Sequence, residues 1–170
     1  MMIRSRRGAM VWAAATVSAV AIGTAGTATA GAERGSSFHG VFTETAVGSA
    51  AGYDIHGSVK LTIGSAGTVA TVNVSGLDPA KVYGSHLHNG TCASGGGGHY
   101  QHLEGGSTVP PNELWLSTNV AGLVPNHGGV AHGAGSATWM ARVSSASTNA
   151  RSVIVHEPGS GARIACADLQ

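Results

Sequence analysis

The sequence predicts an all-β sandwich or barrel built from many short strands. Its 170 residues include 27 Gly but only nine Lys and Arg and eight Asp and Glu, and the 42% of hydrophobic residues is enough for a packed core. Abundant Gly, Thr, Val, Ser and Ala favour strands joined by glycine-rich turns. Apolar residues alternate with polar ones in several segments, and nowhere do they recur at intervals of three and four over three turns. Long amphipathic helices are therefore not expected, and the length fits one domain.

Alternation with a period of two places the strands along the chain. Residues 59–63 and 70–74 alternate in this way, and the turn at 64–67 between them predicts a hairpin. The same pattern predicts further strands at 114–116, 138–143 and 152–156. Two stretches, 89–111 and 120–135, lack the pattern and are predicted to be long functional loops.

The first thirty residues have the pattern of a secretory signal. Arg4, Arg6 and Arg7 precede an uncharged run that ends in the small residues 28–30, and cleavage is expected after Ala30. A permanent membrane anchor is the weaker alternative, because the run consists mostly of Ala, Gly, Thr and Ser rather than large apolar residues. We expect a product that is secreted or held in the periplasm or cell envelope, with no stable membrane anchor after cleavage.

The exported chain is expected to consist of a flexible leader at 31–37 and one β domain at 38–170. After cleavage, six Lys and Arg remain against eight Asp and Glu, so the product is mildly acidic and no nucleic-acid partner is indicated. In an oxidising compartment the two cysteines, Cys92 and Cys166, are candidates for one disulfide, with two buried free thiols as the alternative.

Histidine is frequent and unevenly placed, with nine residues in 170. His86 and His88 stand two apart, and in a strand this spacing directs both imidazoles to one face. His99 and His102 follow in the glycine-rich loop, and His156 ends a later strand. A set of imidazoles without Cys or several carboxylates favours copper or zinc. On their spacing alone, solvated surface rings are the alternative for the first two histidines.

A joint pattern of short motifs distinguishes between these alternatives. Its pieces, in chain order, are Gly-Ser-His-Leu-His at 84–88, Cys92, Gly-Gly-His-Tyr at 97–100, Val-Ile-Val-His at 153–156 and Gly-Ala-Arg-Ile-Ala-Cys at 161–166. In this order the pattern resembles the copper/zinc superoxide dismutase family, and the resemblance covers residues 38–169. It implies an eight-stranded Greek-key β-barrel or sandwich with long functional loops.

The resemblance also implies roles for individual residues. By similarity, copper is held by four histidines, namely His86, His88, His99 and His156. Cys92 and Cys166 occupy the positions of the disulfide that ties the ligand-bearing loop to the last strand. Arg163 occupies the position of a catalytic arginine that sits above the copper and attracts the anionic substrate.

The sequence departs from the zinc-containing members of the family at two places. After His99 it lacks the further histidines and the aspartate of the zinc site, which is therefore expected to be missing or rebuilt and leaves zinc doubtful as a cofactor. The residues available for a second site are His102, His127 and His132. Only residues 157–162 separate His156 from Arg163, so the copper is expected to be more open to solvent, as in copper-only bacterial members.

The function implied by the resemblance is that of an exported superoxide dismutase, which converts superoxide to oxygen and hydrogen peroxide at copper. One alternative is a copper-binding or copper-buffering protein on the same fold, because the long charged loop is gone. The other is a structural β-sandwich whose ligands are relics, although neither alternative needs Arg163. Protons are expected to arrive through water or through Glu157. The sequence leaves the oligomeric state open.

Overall fold

The computed structural model describes residues 35–118 and 122–170, which form an all-β fold with one short α-helix. The strands are β1 (Ser36–Glu44), β2 (His56–Gly64), β3 (Gly67–Ser75), β4 (Gly84–His88), β5 (Ala131–Ala137), β6 (Ser152–His156) and β7 (Arg163–Asp168). The helix α1 (Ala46–Ala50) follows β1, and a single 3-10 turn covers Cys92–Ser94. The all-β prediction is thereby confirmed. None of the helices in this part of the chain is long and apolar enough to span a membrane.

The predicted signal at 1–30 and most of the predicted leader at 31–37 lie outside the described residues. Strand β1 begins at Ser36, which pairs with Ile63 of β2. Residues 36 and 37, which fall in the predicted leader, therefore belong to the sheet. Strand pairing uses backbone groups, and apolar alternation in the sequence does not reveal it at a polar strand end.

All seven strands belong to one antiparallel sheet in the order β4-β6-β7-β1-β2-β3-β5. Strand β1 connects the group β4-β6-β7 to the group β2-β3-β5, because it pairs with β2 along most of its length and with β7 at its end. Residues 114–118 contact both outer strands, since Trp115 pairs with His86 of β4 and Ser117 pairs with Ala134 of β5. The predicted strand at 114–116 thus takes the form of isolated pairs, and the two ends of the sheet meet at this segment.

The β2–β3 hairpin follows the prediction from alternation. Val59 pairs with Val72, and both side chains are buried on the same face of the sheet. At the turn, Gly67 has a φ of +116° and lies so close to the carbonyl of Ala137 that a Cβ would collide with it. Glycine is therefore required at this position. The strand predicted at 152–156 is likewise confirmed, as β6, and His86 and His88 lie in strand β4.

Strand β5 begins within the stretch 120–135 that the sequence pattern predicts as a loop, so this prediction is wrong for residues 131–135, while residues 122–130 are a loop as predicted. The inward positions of β5 include Ala131 and Gly133, and the side chain of Leu123 fills the space above Gly133. A strand whose inward residues are this small carries no hydrophobic alternation to detect.

The strand predicted at 138–143 is also wrong, because these residues form a loop rather than a continuous strand. The Thr68 hydroxyl donates to the carbonyl of Trp139 at 2.7 Å and accepts from the amide of Ala141 at 2.8 Å. Backbone groups that a strand partner would satisfy are satisfied here by a side chain. The apolar side chains of residues 138–143 alternate because they pack against the core, and not because the segment is a strand.

The core lies on the inner face of the curled sheet. Its largest fully buried side chains include Phe42, Leu61, Tyr83, Leu87, Tyr100, Leu114, Leu116, Leu123 and Ile164. Side chains alternate along β4, so Leu87 faces this core while His86 and His88 face the opposite side. The same alternation in β6 places Val155 in the core and His156 on the histidine side. The β4–β6 pair therefore separates the core from the candidate site.

The two cysteines form the predicted disulfide, Cys92–Cys166, across a sequence separation of 74 residues. It joins the loop that follows β4 to β7. The amide of Cys92 also donates to Oδ1 of Asp168 at 2.8 Å. Both contacts hold the loop that carries His99 against the last strand.

Replacing both cysteines, as Cys92→Ser with Cys166→Ser, is expected to lower the free energy of unfolding by about 4 kcal/mol, because the bond closes a loop of roughly 75 residues in the unfolded chain. Urea unfolding of the metal-free parent and of the double variant measures the difference. A loss below about 1 kcal/mol would contradict a substantial loop-closure effect.

Candidate metal centre

Four histidines converge on the side of the β4–β6 pair that faces away from the core. Strand β4 supplies His86 and His88, whose rings stack with centroids 4.9 Å apart. The last residue of β6 is His156, which pairs with the first residue of β4. The fourth, His99, comes from the glycine-rich loop and forms a bridge pair with His88. The structure therefore brings together the four histidines that the sequence predicts as ligands.

The candidate ligand nitrogens of these four residues all lie within 4.8 Å of one another. The Nε2 atoms of His88 and His156 are 3.2 Å apart, and the ring centroids of His86 and His99 are 3.8 Å apart. The group contains no cysteine and no carboxylate. Four imidazoles this close can hold one metal ion through nitrogen.

Two of the four imidazoles are buried and the other two are half-buried, and burial disfavours their charged forms. His86 is 7% exposed and His88 is fully buried. Burial lowers the pKa of His86, His88 and His156, and the positive charges of neighbouring imidazoles and of Arg163 lower these pKa values further, that of His88 to about 3. These three rings are therefore neutral at pH 7, which is the form that binds a metal ion.

Two nitrogens of the cluster have no hydrogen-bond partner within the described residues. They are Nδ1 of His86 and Nδ1 of His88, and both are buried. A buried polar group left unsatisfied costs about 1–3 kcal/mol. For His86, a metal ion fits as the missing partner of Nδ1. His88 instead directs its Nε2 toward the cluster, 3.2 Å from Nε2 of His156.

Glu113 is a site residue that the sequence patterns do not single out. It is only 2% exposed, and its Oε2 accepts hydrogen bonds from Nδ1 of His99 and from the indole of Trp115, both at 2.8 Å. With Nδ1 donating to the carboxylate, Nε2 of His99 carries the lone pair that a metal needs. An acid next to an apolar segment is a weak signal, and nothing in the spacing links Glu113 to a histidine 14 residues earlier.

Arg163 begins β7, and its guanidinium reaches the glycine-rich loop. It donates to the carbonyl of Gly95 and, at 2.6 Å, to that of Gly97. Gly97 has a φ of +65°, and a Cβ there would collide with the side chain of Asn89, so the loop requires glycine. Arg163 therefore lies beside the cluster and also braces the loop that carries His99.

The ring of His156 is held from the side opposite the cluster. Its Nδ1 donates to the carbonyl of Gly161 at 2.9 Å. Residues 157–161 form a short hairpin between β6 and β7, which the amide of Glu157 helps to close by donating to the carbonyl of Ala162 at 2.7 Å. The hydrogen bond from Nδ1 of His156 to Gly161 fixes the tautomer of His156, so the lone pair of the ring is on Nε2.

Glu157, an expected route for protons, has a carboxylate that is already engaged. It accepts hydrogen bonds from Nζ of Lys81, at 2.8 Å, and from the hydroxyl of Tyr53. The hydrogen bond from Lys81, followed by that from Tyr53, lowers the pKa of Glu157. The carboxylate is therefore ionised at neutral pH and directed away from the imidazoles toward Lys81.

The three histidines considered for a second site are not brought together with other potential ligands in residues 35–118 and 122–170. His102 stacks on the indole of Trp139, with ring centroids 4.9 Å apart and planes 6° from parallel. His132 is exposed on β5 opposite Asn73, and His127 is exposed in the loop before β5. The contacts of His102 are those of a packing residue.

Glu113→Ala is expected to weaken metal binding about 10–100-fold, because His99 loses the acceptor that fixes its tautomer. Competition with a chelator, using zinc or copper, measures the affinity. Glu104→Ala removes an exposed acid from the same loop and serves as the control, with parent affinity expected. Equal affinities for the two variants would contradict the role of the buried carboxylate.

Without metal, the free energy of unfolding is expected to be highest above about pH 6.5 and to fall as the pH decreases. Histidines of the unfolded chain bind protons near that pH, whereas His86, His88 and His156 resist protonation in the folded state. The unfolded state therefore binds more protons, and acid favours it. Urea unfolding between about pH 7.5 and 4.5 tests this expectation.

Two variants control the pH experiment. His86→Phe removes one buried ring and should make the pH dependence shallower. His56→Gln removes a ring that is 72% exposed and should leave the dependence unchanged. A stability that does not change over this pH range would contradict the assignment of neutral, buried imidazoles.

The chain matches no protein-family model, and no curated protein is significantly similar to it. The described residues establish a cluster of four histidines, two of them buried, beside an arginine on an all-β fold that contains a disulfide. What this site does must therefore follow from its own chemistry.

Proposed function

We propose that the protein is an exported superoxide dismutase, which converts superoxide to oxygen and hydrogen peroxide at a copper ion held by His86, His88, His99 and His156. The observation that carries this proposal is the close cluster of four imidazoles, two of them buried, with Arg163 at its side. Imidazole ligands suit copper. The disulfide is consistent with an oxidising compartment and hence with export. When bound, copper supplies the one-electron redox chemistry that superoxide requires.

The surroundings of His99 support copper as the single resident ion. In the zinc-containing enzymes that the sequence resembles, the corresponding histidine bridges two metals and uses both ring nitrogens. In this chain Nδ1 of His99 donates to the carboxylate of Glu113 at 2.8 Å. A carboxylate therefore occupies the nitrogen that a bridging zinc ion would need.

Arg163 supplies the fixed cation for an anionic substrate. Its charge is close enough to lower the pKa of His86, His88 and His156. Two carbonyls anchor the guanidinium, which stays charged at any relevant pH. Because a chain cleaved after the signal has fewer cationic than acidic residues, this charge is the main local attraction for superoxide.

We also assign residues 114–118 to the remaining strand of an eight-stranded Greek-key barrel. The amide of Leu116 donates to the carbonyl of Ser85 in β4 at 2.8 Å. On the other side, Ser117 and Ala134 of β5 exchange backbone hydrogen bonds at 3.0 Å. A strand at this position joins the two outer strands and leaves neither edge open.

A copper-binding or copper-buffering protein is the second candidate. One observation favours it: the guanidinium of Arg163 already donates to Gly95 and Gly97, which leaves fewer donors for an anion. The cluster would then hold copper tightly and turn over superoxide slowly.

The test compares copper-loaded parent protein with Arg163→Ala in a cytochrome c competition assay. We expect about one copper per chain in both proteins, and a dismutation rate lower by about tenfold or more in the variant, because a guiding charge affects encounter more than metal binding. Arg142→Ala is the matched control. Arg142 also donates to two loop carbonyls, those of His102 at 3.2 Å and Gln101 at 3.3 Å, and the parent rate is expected.

Each outcome of this comparison has a definite meaning. Higher ionic strength should slow the parent more than Arg163→Ala, because salt screens the charge that the variant lacks. Copper-loaded parent protein with negligible dismutation would select the buffering candidate. A parent protein that fails to hold copper would contradict both candidates. An equal loss of rate in Arg142→Ala would assign the effect to loop bracing.

A further inference from the structure

We propose that four side chains outside the imidazole group, Tyr53, Lys81, Tyr83 and Glu157, act together to position the imidazole of His156. We call them the Glu157 cluster. The proposal rests on the proposed function only in that His156 binds a metal ion, and it needs neither copper nor dismutation.

The polar groups of the Glu157 cluster satisfy one another. Nζ of Lys81 donates to Oε1 of Glu157 at 2.8 Å and to the hydroxyl oxygen of Tyr53 at 3.1 Å. The Tyr53 hydroxyl donates to Oε2 of Glu157. The Tyr83 hydroxyl then donates to Tyr53 at 3.2 Å and accepts from the amide of Asp78 at 2.9 Å. Each hydroxyl has one arrangement that satisfies all partners, so the carboxylate is held in one place.

A short backbone path connects this carboxylate to the metal centre. Glu157 directly follows His156, and its backbone closes the hairpin through the carbonyl of Ala162 at 2.7 Å and the amide of Gly161 at 3.0 Å. The carbonyl of Gly161 accepts the hydrogen bond from Nδ1 of His156 at 2.9 Å. With Nδ1 held in this way, Nε2 lies 3.2 Å from Nε2 of His88. Fixing the side chain of Glu157 therefore fixes the rotation of the imidazole.

The Glu157 cluster joins three segments that are distant in sequence. Tyr53 lies between α1 and β2, Lys81 and Tyr83 directly precede β4, and Glu157 directly follows β6. The first residue of β4 pairs with the last residue of β6. The cluster thus ties together the ends of the two strands that supply three of the four imidazoles.

Stability alone does not account for this arrangement. The side chains of Lys81 and Glu157 are 39% and 20% exposed, and ion pairs near the surface typically contribute little to the free energy of unfolding. Groups that orient a metal-binding histidine through its second nitrogen change metal affinity about 10–100-fold when they are removed. The larger effect of the cluster is therefore expected in metal affinity.

Tyr53→Phe and Glu157→Gln test the proposal, because each weakens the cluster with little change of side-chain volume. The two readouts are the affinity for Zn(II), by chelator competition, and the imidazole 15N shifts of His156 in the metal-free protein. We expect an affinity about tenfold weaker and a mixture of His156 tautomers in place of one. Asp54→Asn is the matched control: it removes an exposed ion pair with His56 beside Tyr53, and parent values are expected in both readouts.

Lys81 provides a test of specificity. Lys81→Arg keeps a cation beside Glu157 and should retain most of the zinc affinity, whereas Lys81→Met should lower it about as much as Tyr53→Phe does. Unchanged zinc affinity and unchanged His156 shifts in folded Tyr53→Phe and Lys81→Met would overturn the proposal, whether or not Glu157→Gln folds. A parent protein that binds no metal would contradict the proposed function, and the His156 shifts of the metal-free protein would still decide the positioning role. Zinc binding without dismutation by the copper form would contradict the proposed enzyme activity alone.

Discussion

Four imidazoles held close together and uncharged are the constraint on which this side of the structure depends. If all were protonated, four cations would share a space in which the candidate ligand nitrogens lie within 4.8 Å of one another. Burial keeps His86, His88 and His156 neutral, but a neutral ring has a donor and an acceptor that both need partners. The protein satisfies the outer nitrogens of His99 and His156 and leaves Nδ1 of His86 and His88 unpaired. A metal ion bound at Nδ1 of His86 provides the partner that this nitrogen lacks.

Rigid strands position three of the imidazoles, and the fourth depends on a tethered loop. The loop between His88 and His99 has one 3-10 turn as its regular structure, and several independent contacts hold it. They include the disulfide at Cys92, the guanidinium of Arg163 on two loop carbonyls, and the amide of Gly90 on the carbonyl of Gly96 at 2.8 Å. Together they give a glycine-rich segment the order that a metal ligand needs.

The hairpin between β6 and β7 connects the two chemical features of the site, the last imidazole and the arginine. The connection between β1 and β2 supports it at both ends. The Thr45 hydroxyl donates to the carbonyl of Arg163 at 2.6 Å, and Tyr53 donates to Glu157. In the proposed dismutase, the cation for superoxide and the His156 ligand therefore share one support. These contacts from the β1–β2 connection hold the short hairpin in place although no long loop packs over it.

The sequence by itself determined the β2–β3 hairpin and strand β6, because each depends on alternation within a few residues. The set of four histidines came from the resemblance to a family, because the spacing of His86 and His88 alone is equally compatible with solvated rings. The pairing of the only two cysteines followed from their number and from the expected compartment. Tertiary structure alone decided that Ala131 and Gly133 belong to a strand, because Leu123 supplies the bulk that the strand lacks. It also decided that Glu113 reaches His99 and that Tyr53 reaches Glu157, which stands 104 residues later. Contacts of this kind arise when the folded sheet brings separate segments together, and no local periodicity encodes them.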